Sequence, residues 1–152
     1  MLLAIASAIT GKPAQFRERD VSTVPGWQGL VVKYPTPIVA LNQVRLLHDF
    51  LIGPNSRSSA QRALIALVAL QNAHPLADGN GRLARIVFNL LLGEGAMRFY
   101  LPIREINGLS AGGVLGRIRA AEVGGEWEEL SAVTSAAVRA LYAAHRRAGI
   151  LE

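Results

Sequence analysis

The chain has 152 residues, 51% of them apolar and 18% charged, so it is about one domain long and has the material for a buried core. It has no cysteine, which excludes disulfides, thiolate nucleophiles, iron–sulfur clusters and thiolate zinc sites; the three histidines, His48, His74 and His145, are too scattered for a His-x-x-x-His metal pair, leaving a hard, oxygen-bound ion as the metal to look for. The formal charge is +5 and fourteen of the sixteen cations are arginine, whose planar fork suits phosphate, although a coding bias toward Ala, Gly and Arg explains the same count.

Residues 1–10 (MLLAIASAIT) are apolar, but they lack a basic stretch in front and are too short to span a bilayer. The run from Ala63 to Leu70 is also too short, so the expectation is a soluble, cytoplasmic protein without a membrane partner. Val21-Ser22-Thr23-Val24 and Leu30-Val31-Val32-Lys33-Tyr34, separated by Pro25-Gly26-Trp27-Gln28-Gly29, read as the two strands of a hairpin, with Trp27 capping its turn.

Everything later reads as helix. Thr36-Pro37 is a start signal, with threonine as N-cap and proline at the first helical position. Apolar residues at Ile38, Leu41, Val44 and Leu47–Leu51 carry that helix to Gly53-Pro54. A polar connector, Asn55 to Ser59, supplies the next cap. From Ala60 to about Asn72 the chain is apolar on most faces, which places this helix at the centre of a bundle, and Pro75 ends it. Leu83, Ile86, Val87, Leu90 and Leu91 predict an amphipathic helix to about Leu92. From Arg104 come one or two glycine-interrupted helices and a last one from about Gly125 to Arg147, acidic at its start (Glu126, Glu128, Glu129) and basic at its end. The expectation is one all-α domain over residues 1–152 with a short N-terminal β-hairpin.

Chemistry concentrates between the central helix and the next, in His74-Pro75-Leu76-Ala77-Asp78-Gly79-Asn80-Gly81-Arg82-Leu83-Ala84-Arg85. A loop joining two buried helices needs turn residues, which accounts for Pro75, Asp78, Gly79 and Asn80 one at a time. It does not account for their assembly. Gly79, Asn80 and Gly81 lie where a helix begins, so unpaired N–H groups and the helix dipole favour an anion there, and glycines let a phosphate approach the backbone. Arg82 and Arg85, three apart, share one face and would clamp further phosphates. Asp78 is an isolated carboxylate of the kind that holds magnesium with phosphate oxygens and water. His74 is available as a neutral base for an attacking hydroxyl. Base, metal carboxylate, anion hole and arginine clamp describe transfer of a phosphorus-centred group to a hydroxyl.

This stretch resembles the signature of the Fic family, His-Pro-Phe-x-Asp/Glu-Gly-Asn-Gly-Arg-x-x-Arg, at every specified position except Leu76, where phenylalanine is usual. Phe16-Arg17 through Val21 and the Pro35-Thr36-Pro37 helix start are similar to the family's arginine, β-hairpin "flap" and proline-led helix, so the resemblance covers about residues 12–95. It implies a Fic-type helical bundle whose members typically transfer AMP from ATP to a Ser, Thr or Tyr hydroxyl of a target protein and release pyrophosphate. By matching position, His74 would be the general base and Asp78 would hold Mg2+. Gly79, Asn80 and Gly81 would cradle the α-phosphate, and Arg82 and Arg85 would grip the β- and γ-phosphates. The flap, about residues 21–34 with Val21, Val24, Leu30, Val31, Val32 and Lys33, would hold a target segment by strand pairing.

The Doc branch, which transfers phosphate, has lysine after the asparagine; Gly81 in that place favours nucleotidyl transfer. Another branch uses a phosphocholine donor with a similar loop. Many members carry an inhibitory [Ser/Thr]-x-x-x-Glu-[Gly/Asn] helix, and no Ser or Thr here is followed four positions later by Glu, which points to a separate antitoxin-like partner, or a segment outside these 152 residues, as the source of any restraint. A competing reading, a basic helical module binding nucleic acid, rests on charge alone and leaves the His74–Arg85 assembly unexplained. His48 and His145 need no function, since each fits a helix surface or end.

Overall fold

Ser58 opens the most buried helix of the chain with a capping box: its hydroxyl accepts the Gln61 N–H at 3.3 Å, and Gln61 Oε1 accepts the Ser58 N–H at 3.0 Å. Two orphan donors are thereby satisfied, an arrangement worth about 1 kcal/mol. The structure, a computed structural model, describes residues 2–23, 31, 33–54, 57–93, 100–109 and 113–149. Its contacts divide the chain into two compact units, Met1–Gly95 and Ala96–Glu152. Among the described residues there are seven helices and no strand. None of these helices is long and apolar enough to cross a membrane.

The first unit holds α1 (Leu2–Thr10), α2 (Pro37–Ile52), α3 (Ser59–Ala73) and α4 (Asn80–Gly93). Helix α3 packs against both α2 and α4, and α1 lies against α4. Ala63, Leu64, Ala66, Leu67, Val68, Leu70, Asn72 and Ala73 of α3 are buried, the wide apolar surface expected of a central helix. Helix α2 begins at Thr36 and Pro37 as expected, but Thr36 makes no side-chain cap bond, so the preset φ of proline carries the start.

Two apolar stripes differ from the sequence expectation. In α2 the inward residues are Ala40, Val44 and Leu47, while Ile38 is 75% exposed. In α4 the inward rows are Leu83, Val87, Leu91 and Ala84, Phe88, Leu92, with Leu90 on the outside. Each inward stripe thus includes a fully buried alanine, Ala40 or Ala84, and leaves a larger apolar residue at the rim. Helix α1 is an element that the apolar run of residues 1–10 did not announce.

The β-hairpin flap is not seen. Val24, Leu30 and Val32 lie outside the described residues, as does the expected turn. The described ends make one isolated antiparallel bridge, Ser22 with Lys33, and the Tyr34 N–H donates to Val21 O at 3.1 Å. A single bridge is not a ladder, and a two-stranded ribbon without a third strand or a covering helix has little stability of its own.

The second unit holds α5 (Ile103–Leu109), α6 (Gly113–Val123) and α7 (Trp127–Arg147), with α6 packed on both others. Val114, Ile118 and Ala121 of α6 and Leu130 of α7 are its buried helical residues, with Ile103 of α5. Asn107 Oδ1 accepts the Leu115 N–H at 3.0 Å, and the Arg117 guanidinium pairs with Glu129 at 3.3 Å.

Candidate functional site

Helix α3 ends on His74, which adopts a left-handed conformation (φ 45°, ψ 54°), while its N–H still reaches Leu70 O at 3.2 Å. Among the described residues it is the one non-glycine with positive φ. That conformation costs on the order of 1 kcal/mol and persists only where the surroundings enforce it. The enforcing group is Arg17, only 6% exposed. Its Nε donates to His74 O at 2.7 Å, Nη1 to Arg19 O at 2.9 Å, and Nη2 to both Pro35 O and Ala73 O. A guanidinium on the last carbonyls of α3 also meets the negative end of that helix, which offsets part of its desolvation.

The loop after His74 is fastened along a second edge. Arg17 N–H donates to Pro75 O at 2.9 Å and Ala77 N–H to Gln15 O at 3.1 Å, framing an antiparallel bridge between Phe16 and Leu76. Leu76, which replaces the usual phenylalanine, is buried and anchors the loop. Asn80, 4% exposed, closes the loop from inside: its Oδ1 accepts the Leu76 N–H at 2.7 Å and its Nδ2 donates to Leu76 O at 2.8 Å. The side chain expected on a phosphate therefore first builds the loop, with the second N–H of its amide left for another acceptor.

Helix α4 starts beneath this clasp. Its first intrahelical bond runs from Leu83 N–H to Gly79 O at 2.8 Å, so the amides of Asn80, Gly81 and Arg82 have no helical acceptor. Gly79 has φ +84°, and a Cβ there would stand 3.1 Å from the Thr10 methyl. A Cβ on Gly81 would lie 3.2 Å from Arg85 Nη1 and 3.8 Å from the Gln71 side chain. Glycine thus lets the Arg85 guanidinium fold over the first turn, where Gln71 of α3, a residue that the sequence reading passed over, also points.

Arg85 makes no ion pair with any described residue. Arg82 turns the other way, donating to Ile9 O at 3.4 Å and to Asp78 Oδ2 at 3.5 Å. Asp78 is exposed and also pairs with Lys12 at 3.6 Å. Beside it opens a cleft of about 250 Å³ lined by Thr10, Lys12, Gln15 and Ala77. No cluster of three His, Asp or Glu side chains able to hold a metal occurs among the described residues. Tyr34 stacks on the His74 ring, centroids 4.0 Å apart at 24°.

The structure therefore brings His74, Asp78, Gly79, Asn80, Gly81, Arg82 and Arg85 together at one loop–helix junction. Of the expected flap residues, Val21 is half-buried, Val31 and Lys33 are exposed, and Val24, Leu30 and Val32 lie outside the described residues. Gln71 and Lys12 join the site without having been singled out, while Arg17 was expected only as the family's arginine and Tyr34 only as part of the flap. The sequence signal for Arg17 was its likeness to the family's arginine ahead of the flap, which gave it no task; that task becomes visible only with α3 in place.

The family model described as the Fic/DOC family matches residues 2–92. Among solved structures, a Fic family protein from Desulfovibrio desulfuricans G20 is similar over 95% of this chain, with a TM-score of 0.74 and 22% sequence identity. The chain spans 47% of that protein, about half its length, and at this identity the likeness speaks for the fold. No curated protein matches the sequence.

Proposed function

The chain belongs to the Fic/DOC family, and from that premise we propose that it is a protein adenylyltransferase, moving AMP from ATP to a Ser, Thr or Tyr hydroxyl of a target protein. Membership supports a Fic-type transferase in general; the narrower reaction is the reading that this site supports best. The observation that carries it is the junction itself: an imidazole, a carboxylate, free amides and two guanidinium groups around one helix N-terminus, held from behind by Arg17 and Asn80.

In this reading His74 accepts the proton of the target hydroxyl. The hydroxyl oxygen forms a bond to the α-phosphorus, and the bond from that phosphorus to the β-bridging oxygen breaks, releasing pyrophosphate. The amides of residues 80–82 receive the non-bridging oxygens of the α-phosphate, and Arg82 and Arg85 stabilise charge gathering on the leaving group. Asp78 fits a role at magnesium because a single carboxylate suffices when phosphate and water supply the other oxygens, and its Oδ1 accepts no hydrogen bond from the described residues. Bound there, Mg2+ would neutralise polyphosphate charge. Gly81 supports nucleotidyl over phosphoryl transfer, since a lysine side chain there would have to share the space that Arg85 now fills.

Residues 21–34, with Val21, Val24, Leu30, Val31, Val32 and Lys33, are proposed to hold the target by strand pairing. Restraint is assigned to a separate partner, because Arg85 meets no carboxylate among the described residues. A cytoplasmic place of action goes with ATP as donor. The test is incubation with magnesium, cell lysate and ATP labelled at either the α- or the γ-phosphorus. Label from the α position alone is expected on protein, reduced on the order of 10²–10⁴-fold by His74→Ala. Label from the γ position would establish phosphoryl transfer instead, and undiminished labelling by His74→Ala would remove the base assignment.

A further inference from the structure

The end of α1 is built to deliver one side chain to Asp78. The Gly11 N–H closes the helix on Ser7 O at 2.9 Å, and the Ser7 hydroxyl, 2.8 Å from Leu3 O, accepts the Ala14 N–H at 2.9 Å. The Thr10 hydroxyl lies 3.1 Å from Lys12 O, tying the intervening backbone. This knot turns the chain back along the cleft and brings Lys12 Nζ to 3.6 Å from Asp78 Oδ2. Arg82 Nη2 approaches the same oxygen at 3.5 Å. Both cations thus converge on one carboxylate oxygen, and among the described residues none donates to Oδ1.

We propose that Lys12 is a positioning residue for the metal carboxylate: with Arg82 it pins Oδ2 of Asp78 and presents Oδ1 to the divalent cation that accompanies the nucleotide. The inference rests on the adenylyltransferase reading and adds to it a residue outside the His74–Arg85 signature. Carboxylates that ligate metals are commonly held by outer partners, whose loss lowers metal affinity by about 10- to 100-fold. Lys12 and Asp78 are 65% and 56% exposed in their side chains, and exposed pairs are weaker. An effect of about 3- to 10-fold is therefore expected. Arg82 alone does not supply the constraint, because its guanidinium is shared with Ile9 O.

The test is calorimetric binding of ATP to the full chain, once with saturating Mn2+ and once with EDTA, for the wild type, Lys12→Ala and Lys12→Arg, with thermal melts of each. The ratio of the two affinities isolates what the metal adds. Lys12→Ala should lower that ratio by about 3- to 10-fold while leaving the EDTA affinity and the melting temperature unchanged, and Lys12→Arg should restore it. An unchanged or increased ratio overturns the proposal, the increase meaning that Lys12 competes with the metal. An equal loss in both buffers also overturns it, because Lys12 would then touch phosphate directly. A wild type that binds ATP in neither buffer overturns the nucleotide reading itself, and the proposal with it.

Discussion

Two junctions between packed helices, residues 74–79 joining α3 to α4 and residues 124–126 joining α6 to α7, turn the chain with different amounts of support. The second is local. Gly124 and Glu126 N–H groups both return to Ala120 O, at 2.9 and 3.2 Å, Trp127 N–H reaches Gly125 O at 3.0 Å, and all three turn residues are exposed. The first is fastened to chain some sixty positions away, through Arg17 on His74 O, Arg17 N–H on Pro75 O and Ala77 N–H on Gln15 O. It also buries Pro75, Leu76 and Asn80. Turning a chain needs only the local kind. The distant fastening is a cost in ordered chain that a turn does not require, and it falls at the junction proposed to hold the nucleotide, a task that needs fixed side-chain positions.

The sharpest way to break this contrast is at Arg17. Arg17→Met leaves the carbonyls of Ala73, His74 and Pro35 without their donor in a buried setting, so a loss of about 3 kcal/mol is expected from urea denaturation. Arg17→Lys keeps the charge but not the fork and should recover only part of it. Glu126→Ala, at the local turn, should change stability by less than about 0.5 kcal/mol. Comparable losses at the two sites would mean that the distant fastening contributes no more than a turn. Next in size is Asn80→Ala, expected to cost about 2 kcal/mol through the two orphaned Leu76 groups, with nucleotide binding weakened as the loop loosens. Full nucleotide affinity in a destabilised Asn80→Ala would show that the clasp serves folding alone.

The same contrast explains what the sequence disclosed. Helix α3 with a cap from the polar connector before it, the Thr36-Pro37 start of α2 and the reach of α4 were legible because caps, prolines and apolar spacing act within a few residues, whereas the reciprocal Gln61 half of the α3 cap was not read. The loop residues were legible as an assembly because a Fic-type signature compresses them into twelve positions. Hidden from it were contacts made from far along the chain: the task of Arg17 beneath the loop, although the residue itself matched the family's arginine, the stacking of Tyr34 on the imidazole, and α1 with Lys12 at its end. Helix α1 buries only Ala6 completely, so its run of apolar residues carried no clear stripe. The outward turn of Leu90 followed the close fit of α4 on its neighbours, which no single helix encodes.

A matched pair of glycines gives the next smaller effect. Gly79 and Gly125 have similar conformations, φ +84° and +69°, so alanine at either pays the left-handed cost of about 1–2 kcal/mol. At Gly125 nothing lies within 4 Å of the added carbon, whereas at Gly79 the Thr10 methyl stands 3.1 Å away. Gly79→Ala should therefore be the more destabilising in thermal melts, and only it should impair nucleotide binding, since it pushes on the end of α1. Equal melting shifts for the two would indicate that Thr10 yields freely and that α1 is not coupled to the loop.

Glu122, which closes α6 just before the local turn, carries the smallest expected effect, and the information lies in its pH dependence. Burial pushes its carboxyl up from the ordinary glutamate value, and Arg119, whose Nη1 donates to it at 3.1 Å, lowers it again without cancelling the rise. A carboxyl with a raised folded pKa holds its proton more tightly folded than unfolded. It therefore adds stability below the ordinary glutamate range, and that contribution is lost as pH rises through the folded value. Glu122→Gln removes the titration, so the variant should gain on the wild type as pH rises from the ordinary glutamate range through the folded value, by a small amount because the residue is exposed and its charge is screened by solvent. A difference that stays flat or falls across that window would mean that the Arg119 pair outweighs burial. The end of α6 would then be secured by an arginine, as the end of α3 is, though by one only three residues away, and charge at a helix end would cease to separate the two junctions, leaving the length of chain spanned as the distinction.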